Sequence, residues 1–356
     1  MKRILVTGAG GAPSINFTRS LRLSPEQFYL IGADSDKYRI SRAETDESHL
    51  IPKAREADYI PYLRSLIAET GAEMIFAQPD PEIAMLSERR DELGVRTFWP
   101  DRETVRICQD KWETYRLWRD SGLKVPQTRP VESVEDLEKA FAEFGDVWIR
   151  KTSGAAGRGS FHTSSPVQAK AWVDFNGGFE DFTAAEYLSP VSVTWQSIWN
   201  EGELIVAQGR ERISWEFGDR APSGITGITG SAVTVSDPQV DEISLKAIQA
   251  VDARPHGIFS VDLTYDKDGV PNPTEINIAR FFTTHLFFTE AGLNMPYIAV
   301  KLAFGEDPPP IAVKVNPLPA GLVWVRGMDK EPVLTTAEQI AAKECELEKR
   351  RRGTSD

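Results

Sequence analysis

The chain has 356 residues, 41% hydrophobic and 26% charged, with a formal net charge of -12. That length supports a large core and, at roughly 100 to 200 residues per domain, two or three domains. The acidic balance, unrelieved by any basic stripe before Lys349-Arg350-Arg351-Arg352, argues against nucleic acid or a membrane as partner, and no apolar run approaches the ~18 residues of a membrane span. Cys108 and Cys345, the two cysteines, suggest neither a disulfide framework nor a zinc site, so a reducing cytoplasm is the expected compartment. The closing basic run reads as a solvated tail.

Over the first hundred residues strands and helices alternate. Residues 3–7 form a short apolar strand, 14–23 an amphipathic helix, 29–33 a strand ending at Asp34, 59–69 a helix, 74–77 a strand and 82–93 a helix. This rhythm implies a parallel sheet with helices on both faces. Gly8-Ala9-Gly10-Gly11 occupies the first strand-to-helix turn, where Gly10 and Gly11 let the backbone turn tightly or approach a small substrate. Asp34 stands where a ribose-binding acid would. The pattern is GxGxxP, lacking the third glycine of a dinucleotide site and the Lys-Ser/Thr of a P-loop, so a tight turn or small-substrate contact is preferred.

A second unit begins near Asp101, where Asp110-Lys111 leads a helix over 112–121 that is closed by Gly122 and Pro126. Residues 147–151 form a short strand ending in Arg150 and Lys151, and 161–163 a second strand-like stretch. Between them, residues 152–160 carry Gly154, Gly157, Arg158 and Gly159. Such a loop either closes over a polyphosphate, offering backbone N–H groups and point charges together, or is a flexible surface hairpin. Residues 184–190, including Glu186, Tyr187 and Leu188, read as a strand-to-loop hinge. Strands follow at 191–199 and 203–207, and then the segment Gly209-Arg210-Glu211-Arg212.

Residues 257–280 carry the densest signal. Strand-like runs at 260–265 and 273–278 flank the turn Asp266-Lys267-Asp268-Gly269, the pattern of an antiparallel hairpin. Side chains two apart share a face, so Glu275 and Asn277 point the same way and Asp262 on the partner strand can meet them. Three oxygen donors on one face suit Mg²⁺ or Mn²⁺ holding nucleotide phosphates; a solvated surface hairpin is the alternative.

The order of these elements over residues 1–306 resembles the ATP-grasp superfamily, in the branch similar to the carbamoyl phosphate synthetase large subunit. Residues 4–11 look like that branch's opening strand and turn, and Asp110-Lys111 like the start of its nucleotide-binding portion. Arg150 falls where most members have a phosphate-contacting Lys, Gly154 to Gly159 matches the phosphate-covering loop, and Glu186-Tyr187-Leu188 matches the adenine hinge. Asp262 and Glu275-Ile276-Asn277 match the metal-binding acid and the Glu-x-Asn of the next strand, while residues 290–296 resemble the closing helix start. The resemblance implies an α/β chain with α+β character in its second half. A Rossmann-like domain over 1–100 precedes an ATP-grasp domain over 101–310, with a small lid subdomain at about 120–187 and a larger one at about 188–310 that clasp ATP; 311–356 is an extension and tail.

The family's Glu-x-Asn-Pro-Arg is here Glu275-Ile276-Asn277-Ile278-Ala279-Arg280, with the Arg displaced by one residue. Ser192 and Ser260 stand where related D-alanine ligases put a ribose-binding Glu and an oxyanion-stabilising Arg, which leaves Arg280 and Arg212 as the nearest replacements for a catalytic cation. Arg210, Gly10, Gly11 and His285 are candidates for the substrate side, His285 being more often structural. The activity implied is an ADP-forming ligation: a carboxylate is activated by ATP with Mg²⁺ or Mn²⁺ as an acyl phosphate, which an amine then attacks. A stand-alone carboxylate or carbamate kinase and a non-catalytic nucleotide-binding protein are the alternatives. The expected partners are a small carboxylate and a small amine, with homo-oligomerisation left open.

Overall fold

The structure, a computed structural model, describes residues 1–153, 159–220, 224–225, 227–327 and 335–353. Apolar runs at the amino terminus make a parallel sheet. β1 (Lys2–Thr7), β2 (Phe28–Asp34), β3 (Glu47–Leu50) and β4 (Met74–Phe76) pair in the order β3-β2-β1-β4. Ile4, Leu5, Val6, Leu30 and Ile31 have no exposure, as expected for strands covered on both faces. Phe17 of α1 (Ala12–Arg22) packs into one core, and Tyr59, Leu63 and Leu66 of α2 (Tyr59–Thr70) with Ile83 and Leu86 of α3 (Asp80–Glu88) pack into another. The sequence reading missed β3, because Glu-Ser-His-Leu offers one apolar residue to a strand that is paired on one side with β2.

Two short helices lead into the next unit. Asp101 caps α4 (Arg102–Gln109) and Asp110 caps α5 (Lys111–Asp120), their carboxylates accepting from the first-turn amides. A small antiparallel sheet follows: β5 (Thr128–Val131), β6 (Val147–Lys151), β7 (Phe161–Thr163) and β8 (Phe182–Glu186), in the order β5-β8-β6-β7. With α6 (Val134–Phe144) and α7 (Pro166–Phe175) it encloses its own core around Val131, Leu137, Val147 and Phe182.

The third sheet is larger and antiparallel. β9 (Ser192–Asn200), β10 (Glu203–Trp215), β11 (Thr229–Val235), β12 (Gly257–Tyr265), β13 (Pro271–Ile278) and β14 (Val323–Val325) run in the order β13-β12-β9-β10-β11-β14. The segment carrying Arg210 and Arg212 is the continuation of β10, a single strand of 13 residues. α8 (Pro238–Val251) covers one face and receives α5, whose Trp118 indole donates to the Ala247 carbonyl at 2.9 Å. α9 (Leu286–Glu290) and α10 (Met295–Ala303) cover the other and reach α1.

Residues beyond 310 do more than extend the chain. Val315 bridges Ala207, β14 pairs with β11, and α11 (Ala337–Gly353) returns to pack on β3 of the first sheet. The basic run is not a solvated tail: Arg350 pairs with Glu69, and Arg351 with Glu56 and Asp58. Acids in and before α2 thus meet the basic end of α11, where cations also suit the helix dipole.

The first sheet is anchored to the third by aromatic packing. Phe17 stacks on Phe76 with centroids 3.7 Å apart, and Phe281, just after β13, lies 6.3 Å from Phe17. Asn16 donates to the Thr283 carbonyl at 2.8 Å. These contacts fix residues 280–283 against the amino-terminal unit.

Candidate active site

A cavity of about 730 Å³ opens where the three sheets meet, lined by the turn after β4, the start of α5, β6, the hinge after β8, and β9, β10, β12 and β13. Asp262 and Glu275 face each other across β12 and β13, with a bulge immediately after Asp262. Asn277 donates to Asp262 Oδ2 at 3.0 Å, and the Thr194 hydroxyl from β9 donates to Oδ1. Burial pushes the Asp262 carboxyl up despite Arg212 nearby. At Glu275 burial pushes the same way, but Lys111, then Arg150 and Arg280, outweigh it and hold the group below the usual carboxylate range. Two carboxylates and an amide oxygen form the donor set that a hard divalent cation takes, and all three line the cavity.

Cations surround this hairpin. Lys111 Nζ lies 3.5 Å from Glu275, and partly buried Arg150 donates to the Thr274 carbonyl at 3.0 Å with its Nε unpaired among the described residues. Lys151 also lines the cavity and pairs with Asp181 at 3.2 Å. Gly159 packs on Lys151, has a φ of 77°, and would place a β-carbon 2.9 Å from Lys151 Cγ; a side chain there would displace that lysine. Gly154, Gly157 and Arg158 lie outside the described residues.

The hinge closes the other end. Glu186 accepts from the Gln127 amide at 2.8 Å, and Tyr187 stacks on His162 of β7 with centroids 3.6 Å apart. The amides of Glu186, Tyr187 and Ser189 donate to carbonyls of Gln127, Asp146 and Tyr265. Leu188, between them, has no backbone partner among the described residues. An exposed aromatic face beside a free amide is what a purine base can use.

The arginines divide into distinct states. Arg280 donates to Asp80 at 2.6 Å and to Asn277 Oδ1 at 2.6 Å. Between Asn277 and Arg280, Ala279 has a φ of 61° and turns the chain as β13 ends. Arg212 donates to Ser192 at 2.6 Å and to Thr229 at 3.2 Å and lies over the Trp215 ring. Ser192, in the place of a ribose-binding acid, is therefore occupied by an arginine. Ser260 accepts from Gln196 and is fully buried, away from the cavity. Arg210 is 2% exposed and lies over Phe282 at 4.5 Å; its Nε and Nη1 have no partner among the described residues. Burial and then Arg212 pull its pKa down to about 9.

Other candidates fall outside the cavity. The Gly10 amide donates to Asp34 at 3.1 Å, and a β-carbon on Gly10 would lie 1.8 Å from the Arg39 carbonyl. Gly8, with φ of 60°, abuts Pro79. Gly10 and Gly11 thus build a tight turn, the reading the sequence preferred, and Asp34, in the position of a ribose-binding acid, is buried and clamped by Arg39 at 3.0 Å. His285 is 1% exposed, bonds the Phe282 carbonyl through Nδ1 at 2.8 Å, and has its pKa lowered by burial to about 4; its surroundings are those of a structural residue. Sequence reasoning missed Gln78, Asp80, Thr194 and His162. Asp80 had a signal: Pro79-Asp80-Pro81 follows β4 after two residues, beyond the carboxyl end of a parallel strand, where such sheets place ligand-binding groups.

No protein-family model matches the chain. Over 171 residues it is 27% identical to a phosphoribosylamine–glycine ligase of Streptomyces coelicolor, covering 48% of this chain and 39% of that protein. The chain therefore spans well under half the length of that relative. Carboxyaminoimidazole ribonucleotide synthase from Aspergillus clavatus, solved with ATP, superimposes with a TM-score of 0.66 at 16% identity, covering 88% of this chain and 80% of that one. The biotin carboxylase domain of Hydrogenobacter thermophilus 2-oxoglutarate carboxylase, solved with MgADP, ADP and bicarbonate, gives 0.67 at 15% identity, covering 90% and 73%. At such identities the likeness is one of fold. The chain thus shares its fold, a parallel sheet followed by two antiparallel sheets, with these nucleotide-bound enzymes.

Proposed function

We propose that the chain is an ATP-grasp enzyme of the carbamoyl phosphate synthetase-like branch, an ATP-dependent ligase that phosphorylates a carboxylate, releases ADP, and passes the acyl group to an amine. The observation that carries this reading is one cavity joining the Tyr187 hinge to the opposed Asp262 and Glu275, with Lys111 and Arg150 against the same hairpin. Adenine fits between the Tyr187 face and the Leu188 amide. Lys111, Arg150 and Lys151 supply positive charge for the phosphates. Asp262, Glu275 and Asn277 would hold Mg²⁺ or Mn²⁺, which when bound neutralises charge on the terminal phosphates.

Arg280 lies beside Asn277 at the end of the hairpin, already oriented by Asp80 and Asn277. From there its guanidinium can hold a carboxylate oxygen in line with the γ-phosphorus and stabilise the charge that develops on it. The carboxylate oxygen forms the new bond to phosphorus while the β–γ bridge breaks and ADP leaves. The amine then attacks the acyl carbon, and inorganic phosphate departs. No protein nucleophile is needed. Arg212, bonded to Ser192, serves the nucleotide side. Incubation with MgATP and mixed pools of carboxylates and amines tests the reading: ADP release that rises only when both pools are present supports ligation. ADP release with the carboxylate pool alone, unchanged by amines, makes the chain a kinase, and AMP as product defeats both.

A further inference from the structure

We infer that the end of the cavity remote from the hinge is a subsite for a small carboxylate that bears an N–H or O–H group, with Arg210 anchoring its anion and Gln78 reading its polar substituent. This rests on the ligase reading above and specifies the carboxylate.

Two buried polar side chains at this end lack partners. Arg210 is 2% exposed, and its Nε and Nη1 make no hydrogen bond among the described residues. Gln78 is 5% exposed, and both its amide oxygen and its amide nitrogen are likewise unpaired. Both line the cavity. Unpaired buried donors and acceptors are costly, each on the order of 1–3 kcal/mol, and are rare in native proteins unless something else satisfies them.

The neighbourhood selects the ligand. Arg210 lies over Phe282 at 4.5 Å, two residues beyond Arg280, which is clamped to Asp80 at 2.6 Å; Asp80 is two residues beyond Gln78. These contacts bring Arg210 and Phe282 towards Arg280 and Asp80, and Gln78, two residues before Asp80, lines the same cavity. Among the other cavity cations, Arg280 pairs with Asp80, Lys111 with Glu275 and Lys151 with Asp181, while Arg212 bonds Ser192 and Thr229 and Arg150 bonds the Thr274 carbonyl. Arg210 has Arg212 and Asp262 as its nearest charges, and the latter is bonded to Thr194 and Asn277. A guanidinium in this state calls for an anion with fork geometry, which a carboxylate supplies. Gln78 offers amide N–H donors and a carbonyl acceptor, so it pairs with an amino or hydroxyl substituent and leaves a purely aliphatic carboxylate unmatched.

The test uses three carboxylates of similar size: propionate, L-lactate and L-alanine. Each is titrated against the full chain with MgATP, following ADP release, while binding of the non-hydrolysable analogue AMP-PNP is measured separately. For the wild-type chain L-lactate or L-alanine should half-saturate about tenfold below propionate, the effect expected of a matched buried hydrogen bond. Gln78→Leu should bring that ratio to within about twofold. Arg210→Met should raise half-saturation for every carboxylate by roughly 10- to 100-fold, with Arg210→Lys recovering part of the loss. AMP-PNP affinity should be unchanged in all three variants, which also reports that they are folded. Equal response to the three carboxylates by wild type, no response to any of them, or unaltered saturation in Arg210→Met overturns the inference. Failure of wild type to bind AMP-PNP would instead defeat the ligase reading on which it rests.

Discussion

Glu82 provides a quantitative test of the packing beneath the turn that carries Asp80. It is 5% exposed on α3, and its Oε2 has no partner among the described residues. Burial pushes its pKa up to about 7, with the Thr7 hydroxyl opposing and the Asp34 charge reinforcing the shift. Against an ordinary glutamate near 4.5, the folded chain retains a proton between about pH 4.5 and 7 that the unfolded chain has lost. Stability therefore falls as pH rises through that window, by up to ~1.4 kcal/mol per unit and about 3 kcal/mol in total, and the loss is complete above pH 7. Glu82→Gln keeps the neutral form at every pH. It should be close to neutral at pH 5 and stabilising by about 2–3 kcal/mol at pH 8, read as the difference in unfolding free energy from urea titrations at the two values. The same increment at both pH values, or a loss at pH 8, would refute the reasoning.

Three further outcomes are expected. Arg280→Ala should lower kcat by about 10²–10³ with little change in nucleotide affinity, whereas Asp80→Asn, which leaves the guanidinium present but unclamped, should cost less; equal losses would mean that the ion pair matters only for structure. Gly10→Ala would place its β-carbon 1.8 Å from the Arg39 carbonyl, so thermal denaturation should report a loss of about 2 kcal/mol or more, and an unchanged melting temperature would contradict the tight turn. In α11 Ile340 is the one buried residue among those described, and Lys37, Glu56, Asp58 and Glu69 pair with its charges. Raising NaCl to about 0.5 M should therefore speed hydrogen exchange in 337–353 selectively, since exposed pairs are screened, and uniform exchange would argue that apolar packing holds the helix.

The hairpin was legible because its signals are local. A period of two put Glu275 and Asn277 on one face, and turn chemistry at 266–269 fixed the partner strand, so the meeting with Asp262 followed from pairing alone. The hinge and the β6 cations were readable for the same reason. What the sequence could not convey depends on long-range contacts. Nothing near Asp34 announced that Arg39 would occupy it, and nothing near Arg280 announced a partner 200 residues away at Asp80. Nor could a polar Glu-Ser-His-Leu segment declare itself a strand, or a basic run declare that acids around α2 awaited it. Gln78 stood out only once burial was known, and Arg210, already a substrate-side candidate in the sequence, showed its unpaired guanidinium only in the packed state.

Calorimetric titration with ADP, with and without Mg²⁺, tests the central claim most directly, because it requires no knowledge of the substrate. The account predicts that wild type binds ADP more tightly when Mg²⁺ is present, and that Glu275→Gln binds ADP alone as well as wild type does but loses most of the Mg²⁺ enhancement. Absence of ADP binding by wild type, or an undiminished Mg²⁺ enhancement in a folded Glu275→Gln chain, would contradict it.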